Sequence, residues 1–212
     1  MSNEWEIDNL PNRLTMFRVI LIPIIIFSMF SVLVHYEWAV AHTKLLNYIA
    51  AWTFVAASIT DFLDGFIARK KNIVTVFGSF LDPIADKFLV ISALIMLQAL
   101  NRVHVLVVLI LVLREMYITA LRLFAMEKEI SVPVGTLGKW KTATQMVGIP
   151  LLMANDVPWG IDMPLLGTIA IYLASIFSLY SAVEYSIGLI AKIQKIRKEK
   201  KRNKGNISES NS

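Results

Sequence analysis

Six long apolar stretches make up most of the 212-residue chain and constrain its fold more than any other feature. Each stretch holds about 20 mostly apolar residues, the length that an α-helix needs to cross the hydrocarbon core of a bilayer. Lipid offers the backbone no hydrogen-bond partners, so even the Ile-rich first stretch is expected to be helical. The sequence therefore predicts an all-α integral membrane protein with six transmembrane helices, over residues 15–35, 44–69, 76–100, 103–126, 137–154 and 164–190.

The composition agrees with this class. Hydrophobic residues make up 56% of the chain and charged residues 17%, whereas about a quarter of a soluble domain is charged. The chain has no cysteine, which excludes disulfides and thiolate chemistry. Because no polar linker divides the stretches, we predict one membrane domain over residues 15–191. An amphipathic segment at residues 1–14 would lie on the membrane surface, and residues 192–212 would form a basic, partly disordered tail.

The distribution of basic residues predicts the orientation of the chain. Six spans put both termini on one side, and cytoplasmic loops carry the excess of Lys and Arg. Besides the tail, one side collects Arg13, Arg18, Arg69, Lys70, Lys71, Lys128, Lys139 and Lys141. The other side has little beyond Lys44 and Arg102. We therefore predict a multi-pass protein of the plasma membrane with both termini in the cytoplasm. The tail would contact anionic lipid rather than nucleic acid.

Four aspartates lie in or beside the second and third stretches: Asp61, Asp64, Asp82 and Asp86. Carboxylates are costly in hydrocarbon, so these residues need partners. The first two are three residues apart and the last two are four apart, which places each pair on one face of its helix. Pro83 either kinks the third helix or takes the first position of a helix capped by Asp82. Carboxylate oxygens favour hard cations, and two such ions can bind both ends of a phosphoryl displacement.

Residues around the aspartates favour a substrate site over a set of structural ion pairs with the nearby Lys and Arg. Gly65 and Gly78 each lie four residues from an aspartate, where the missing side chain leaves room for a phosphate or a ligand backbone. Asp61 would lie roughly 12 Å deeper than Arg69. The site would therefore be a polar cavity just below the cytoplasmic surface, within reach of one lipid and one water-soluble substrate.

The order of these residues resembles the signature of the CDP-alcohol phosphotransferase family. That signature is D-x-x-D-G-x-x-A-R, then seven or eight residues, then G-x-x-x-D-x-x-x-D, and residues 61–69 and 78–86 match every fixed position. The segments at residues 9–18, 114–122 and 138–142 resemble the branch of that family that uses glycerol 3-phosphate as acceptor. Together the resemblance covers most of residues 9–142.

The resemblance implies a role for each residue of the signature. Asp61, Asp64 and Asp82 would bind two divalent metal ions, Mg²⁺ or Mn²⁺. Asp86 would complete that site and act as general base on the acceptor hydroxyl. Further residues would contact the nucleotide end of the donor, being small or polar apart from an arginine that pairs with a phosphate. They are Asn12, Thr15, Gly65, Ala68, Arg69, Gly78 and Ser79.

A second group of residues is expected to hold the acceptor. Glycerol 3-phosphate carries a dianionic phosphate, which favours Arg and Lys, and the candidates are Arg114, Arg122, Lys139 and Lys141. An arginine within the fourth stretch is costly unless it has a partner. Arg114 and Arg122 lie about 80° apart around their helix. In the alternative interpretation, Arg122 and Lys141 extend to lipid headgroups.

The resemblance thus implies transfer of a phosphatidyl group from CDP-diacylglycerol to glycerol 3-phosphate, by a homodimer, with phosphatidylglycerophosphate and CMP as products. The nearest alternative is the same chemistry with phosphatidylglycerol, inositol or serine as acceptor. A divalent-cation transporter that uses the four aspartates as an ion path is the alternative from another class, and a plain membrane anchor for the tail is a third. All four aspartates lie towards one side of the membrane, which argues against an ion path.

Overall fold

The computed structural model describes the backbone of residues 10–71, 76–128, 130 and 135–210. Side chains are described for residues 16–62, 85–128, 130 and 135–198. The helices in these ranges are α1 (Leu10–Val34), α2 (Glu37–Ala41), α3 (Thr43–Lys71), α4 (Val76–Ala99), α5 (Val105–Glu127), α6 (Thr136–Ala154) and α7 (Met163–Ser210). A short 3-10 turn, Pro158–Gly160, precedes α7, and the described ranges contain no strand. The predicted all-α class is confirmed.

Three helical segments in the described part of the chain are long and apolar enough to cross a membrane: Met16–Val34, Thr43–Phe62 and Met163–Lys198. They lie in α1, α3 and α7 and support the predicted membrane character. The remaining long helices coincide with the third, fourth and fifth predicted stretches; α4, for example, covers Val76–Ala99 against the predicted 76–100. A crossing of the membrane by all six helices stays a prediction.

Helix boundaries differ from the prediction at two places, and one open alternative is decided. α1 begins at Leu10 and continues without a break into its apolar part, whereas residues 1–9 of the predicted surface segment lie outside the described residues. Of the two positions that the sequence left open for Pro83, the one within the helix is found, because α4 begins at Val76. α7 stays helical through Ser210, across the tail predicted to be partly disordered. The predicted domain boundaries stay predictions.

The chain forms two compact units, and the first comprises Met1–Val108 and Thr144–Tyr172. Within it α1 packs against both α3 and α4, the helices that carry the four aspartates. Ile25 of α1, Phe54 of α3 and Leu97 of α4 are completely buried. Each of these three helices therefore contributes side chains to the apolar core of the unit.

The second unit comprises Leu109–Ala143 and Leu173–Ser212. Its core joins Ile118 and Ala125 of α5 to Tyr185 and Leu189 of α7, all of them buried. Since apolar side chains gain little from contact with one another in lipid, polar contacts between helices add to this packing. Within the second unit, the hydroxyls of Tyr117 and Ser186 lie 3.0 Å apart.

The turn between α4 and α5 is held by Asn101 and Arg102. Asn101, in the turn after α4, lies in the left-handed region (φ 57°), which Asn tolerates better than most residues. The Arg102 guanidinium donates to the carbonyls of Leu152 (3.1 Å) and Met153 (2.8 Å) at the end of α6, and to Asn47 Oδ1 (2.9 Å) on α3. Burial lowers the pKa of Arg102 to about 10, so the side chain stays charged at neutral pH.

Two glycines allow α6 and α7 to approach closely within the first unit. A Cβ on Gly167 would lie 2.7 Å from Leu152 Cγ and 3.0 Å from the carbonyl oxygen of Gly148. A Cβ on Gly148 would lie 2.9 Å from Ile171 Cγ1 and 3.2 Å from the carbonyl oxygen of Gly167. Small residues at such crossings are how membrane helices bring their backbones together.

Substitution Gly167→Ala should therefore separate α6 from α7 and destabilise the fold by about 1–3 kcal/mol, the usual effect of overpacking. The measurement is thermal unfolding in detergent. Ile169→Val is the matched control on the same helix, because the Ile169 side chain is 49% exposed. An unchanged melting temperature for Gly167→Ala would contradict the close approach.

A polar cluster joins the start of α3 to the turn after α6. Lys44 Nζ lies 2.8 Å from Asp156 Oδ2, and the Tyr48 hydroxyl donates to the same oxygen at 2.8 Å. Hydrogen bonds from Lys44 and, to a smaller extent, from Tyr48 lower the pKa of Asp156 below its ordinary value of 3.8. The ionised carboxylate is therefore favoured in the folded state.

We expect this cluster to stabilise the fold at neutral pH but not in acid. A carboxyl whose pKa is lowered by folding stabilises above its unfolded pKa, and the contribution is lost as pH falls through the folded pKa. Asp156→Asn should thus lower the melting temperature near pH 7, and its difference from wild type should shrink below about pH 4. A difference that is constant across that range would contradict this assignment.

Candidate active site

The predicted metal site begins with an ion pair between α1 and α3. Arg18 Nη1 lies 2.7 Å from Asp61 Oδ1. The Arg18 side chain is 0% exposed and the Asp61 side chain 36% exposed. The carboxylate therefore contacts a buried cation through Oδ1 and remains partly accessible.

Sequence reasoning missed the role of Arg18. It counted this arginine among the basic residues that orient the chain and within the segment 9–18 that resembles the family, but gave it no role in the site. A signal was nevertheless present, because Arg18 is the only charged residue in the apolar segment Met16–Val34. Charged residues within membrane helices mark functional sites by default.

The other described aspartate of the set, Asp86, is half-buried on α4 and follows the buried Ala85. α1 thus contacts both the helix of Asp61 and the helix of Asp86. Among the side chains that the structure describes, no three His, Asp or Glu residues form a metal-binding group. Asp64 and Asp82 belong to α3 and α4, but their side chains lie outside the described residues.

The chemistry of these side chains fits a hard divalent cation. Carboxylate oxygens are the ligands that Mg²⁺ and Mn²⁺ favour, and Asp61 is open enough to meet an ion. The remaining donor-side predictions cannot be placed as side chains, since they lie on α1, α3 and α4 outside the described side-chain ranges: Asn12, Thr15, Gly65, Ala68, Arg69, Gly78 and Ser79.

The predicted acceptor residues belong to the second unit, where Arg114 joins α5 to α7. Its Nε donates to the Ser178 carbonyl (3.2 Å) and its Nη2 to Ser181 Oγ (2.6 Å). Its Nη1 lies 3.3 Å from Glu115 Oε2. Only 9% of the Arg114 side chain is exposed. The guanidinium is therefore held in one orientation by three groups of the protein.

Lys141 meets the same network from α6. Its Nζ lies 2.6 Å from Glu115 Oε2, and its side chain is 7% exposed. Arg114 and Lys141 are therefore brought together through one shared carboxylate. This burial does not support the alternative in which Lys141 extends to lipid headgroups. Sequence reasoning gave Glu115 no role, although a carboxylate within an apolar helix is a signal of the same kind as the aspartates.

The other two predicted acceptor residues are more open. Lys139, also on α6, is exposed. Arg122 is exposed as well, and its guanidinium carbon lies 5.9 Å from the centre of the Tyr185 ring, within the range of a cation–π contact. Of the four predicted acceptor residues, Lys141 is buried, Arg114 is mostly buried, and Lys139 and Arg122 are exposed.

Comparison with known proteins places the chain in a family of membrane transferases. Residues 8–180 match the profile of the CDP-alcohol phosphatidyltransferases. This match covers most of the chain, including all four aspartates and the four basic acceptor candidates. The chain belongs to the CDP-alcohol phosphatidyltransferase family.

Three relatives of this chain carry the name CDP-diacylglycerol–glycerol-3-phosphate 3-phosphatidyltransferase. The Rickettsia bellii protein is 38% identical over 179 residues, which cover 84% of this chain and 93% of that protein. The Bacillus subtilis protein is 35% identical over 182 residues, with the same two coverages. The Shigella flexneri protein is 37% identical over 186 residues, which cover 84% of this chain and 92% of that protein.

Proposed function

We propose that this protein transfers a phosphatidyl group from CDP-diacylglycerol to glycerol 3-phosphate, releasing CMP. The observation that carries the proposal is the similarity to relatives with that name over 84% of the chain. In this reaction a hydroxyl oxygen of glycerol 3-phosphate bonds to the β-phosphorus of the donor. The bond from that phosphorus to the oxygen of CMP breaks, and phosphatidylglycerophosphate is formed.

The donor end of the reaction is assigned to the aspartates. Asp61, Asp64, Asp82 and Asp86 would hold two divalent ions, Mg²⁺ or Mn²⁺. When bound, such ions offset negative charge on the pyrophosphate and on the leaving CMP. A carboxylate oxygen of Asp86 would accept the proton of the attacking hydroxyl. The half-buried positions of Asp61 and Asp86 on helices that both contact α1 support this assignment.

The nucleotide would lie against the small residues of the signature, with Arg69 directed to a phosphate through its fork of donors. Gly65, Ala68 and Gly78 would leave space for the cytidine diphosphate. Asn12, Thr15 and Ser79 would add polar contacts. The support is the match of residues 61–86 to the family signature, since these side chains lie outside the described residues.

The acceptor phosphate would bind to the cations of the second unit. Arg114 and Lys141 are fixed by Glu115, which supports a site organised before the substrate arrives. Lys139 and Arg122 are exposed and would add charge at the entrance. Each favourable cation–phosphate contact is a charge-assisted hydrogen bond, the stronger class of such bonds.

The setting of the reaction is proposed to be the plasma membrane. Six helices would cross it, with both termini and the active site on the cytoplasmic side, and two copies would form a homodimer. The excess of basic residues at one end of the helices supports the orientation. Placement near the cytoplasmic surface would let the lipid donor enter from the bilayer and the acceptor from water.

The test is CMP release by purified protein in detergent micelles that contain CDP-diacylglycerol. Glycerol 3-phosphate should support release, whereas glycerol, inositol, serine and phosphatidylglycerol should not. Chelation should abolish release, and Mg²⁺ or Mn²⁺ should restore it. Release with another acceptor alone would replace the proposed substrate, and full release after chelation would remove the metals. Uptake of Mn²⁺ into vesicles without CDP-diacylglycerol would favour a transporter instead.

A further inference from the structure

Arg18 occupies a position that the proposed reaction does not explain. It is completely buried in α1, yet its guanidinium contacts the first aspartate of the signature at 2.7 Å. The segment around it is otherwise apolar. A buried guanidinium in such a setting persists only where it is compensated, so the pair joins two residues that each depend on the other.

From this geometry we infer that Arg18 is a positioning residue, which orients the Asp61 carboxylate for binding a divalent cation. The inference rests on the proposed metal site. A carboxylate offers about four acceptor positions on its two oxygens. Contact of Arg18 with Oδ1 is therefore compatible with ligation of an ion by the same carboxylate. Partners of this kind fix the orientation of metal ligands throughout metalloproteins.

The difference in exposure between the two side chains supports this role. Arg18 lies on the closed side of the pair, at 0% exposed, and Asp61 lies on the open side, at 36% exposed. The cation is therefore not placed to bind substrate. Its position behind the carboxylate lets it hold the ligand without occupying the open side.

The positive charge of Arg18 has a second effect, beyond orienting the Asp61 carboxylate. Four carboxylates and a pyrophosphate would repel one another strongly at close range. A permanent, buried positive charge next to Asp61 reduces that repulsion. Arginine suits this role better than lysine, since its planar guanidinium stays charged and offers a fixed fork of donors.

The test measures Mn²⁺ binding to the purified protein in detergent, without lipid donor or acceptor, by the electron paramagnetic resonance signal of free Mn²⁺. Arg18→Met should weaken Mn²⁺ binding by about 10- to 100-fold, the usual effect of losing a partner of a metal ligand. Arg18→Lys should recover part of the loss, since it keeps the charge but not the fork.

Arg102→Met is the matched control. It also removes a largely buried arginine from the first unit, but one that binds the carbonyls of α6 and Asn47. It should lower the melting temperature and leave Mn²⁺ affinity unchanged. If Arg18 had only a structural role, Arg18→Met would likewise lower the melting temperature and leave Mn²⁺ affinity unchanged. Unchanged or tighter Mn²⁺ binding by a folded Arg18→Met protein would therefore overturn the inference.

A double variant separates this inference from the metal site itself. If Arg18 acts through Asp61, the double variant that carries Arg18→Met and Asp61→Asn should bind Mn²⁺ no more weakly than the single variant Asp61→Asn. Additive losses would overturn the inference. Normal Mn²⁺ binding by Asp61→Asn would refute the proposed ligand and the inference together. Loss in Asp61→Asn but not in Arg18→Met would refute the inference alone.

Discussion

Replacing Asp61 by Asn should reduce phosphatidyl transfer by at least about a hundredfold while the protein stays folded. The change removes one ligand charge and disturbs ions whose stabilisation of the transition state is worth several kcal/mol, and each 1.4 kcal/mol is about a tenfold change in rate. Asp64→Asn and Asp82→Asn should have comparable effects. The measurement is the initial rate of CMP release at saturating CDP-diacylglycerol and glycerol 3-phosphate.

The control for this series is Asp156→Asn. Asp156 is an aspartate of the same unit that pairs with Lys44 and Tyr48 in the turn after α6, so its loss should leave the rate close to that of wild type. Asp61→Asn also removes the ion pair with Arg18, and a melting curve for each variant separates inactivity from unfolding. A near-normal rate for any of the three site variants would remove that residue from the proposed ligands.

Helix positions were the part of the fold that the sequence predicted best. The reason is physical: apolar length is set by the thickness of the bilayer, and the backbone has no alternative to a helix there. α6, for example, covers Thr136–Ala154 against the predicted 137–154. Hydropathy carries no comparable constraint for short surface elements. The five-residue helix α2 and the Pro158–Gly160 turn were therefore not predicted.

Helix ends were harder to predict, because they depend on single backbone conformations. His35, directly after α1, takes a positive φ of 56°, a conformation that an ordinary sequence pattern assigns to Gly or Asn. Pro83 is a second example. The sequence left open whether this proline begins a helix or lies within one, and α4 continues through it from Val76. Neighbouring helices can stabilise a proline within a membrane helix in a way that local sequence does not reveal.

In the candidate site, the sequence identified residue types and local spacing but not long-range partners. The i,i+3 and i,i+4 spacing of the aspartates follows from helix geometry alone. The contact between Arg18 and Asp61 joins helices far apart in sequence, as does the contact between Glu115 and Lys141. Both depend on which helices pack together, and that information is not contained in either segment alone. Each pair includes a charged residue, Arg18 or Glu115, that lies outside the family signature.

Arg114→Ala should weaken use of glycerol 3-phosphate by roughly 10- to 100-fold, with little change in the KM for CDP-diacylglycerol. A charge-assisted hydrogen bond is worth about 1.5–3 kcal/mol, and about 1.4 kcal/mol corresponds to a factor of ten. The loss would appear in the KM for glycerol 3-phosphate, in kcat or in both, depending on whether the contact tightens in the transition state. Arg69→Ala should show the opposite bias, towards the lipid donor.

Truncation of Arg114 also removes one contact each from the Ser178 carbonyl, Ser181 and Glu115. Two further variants are therefore needed to interpret its result. Lys139→Ala removes an exposed cation and should raise the KM for glycerol 3-phosphate without lowering the melting temperature. Lys128→Ala removes an exposed cation paired with Glu127 and should change neither. Unchanged glycerol 3-phosphate kinetics in both Arg114→Ala and Lys139→Ala would show that the acceptor phosphate binds elsewhere. A branch of the family with a different acceptor would then fit the chain better.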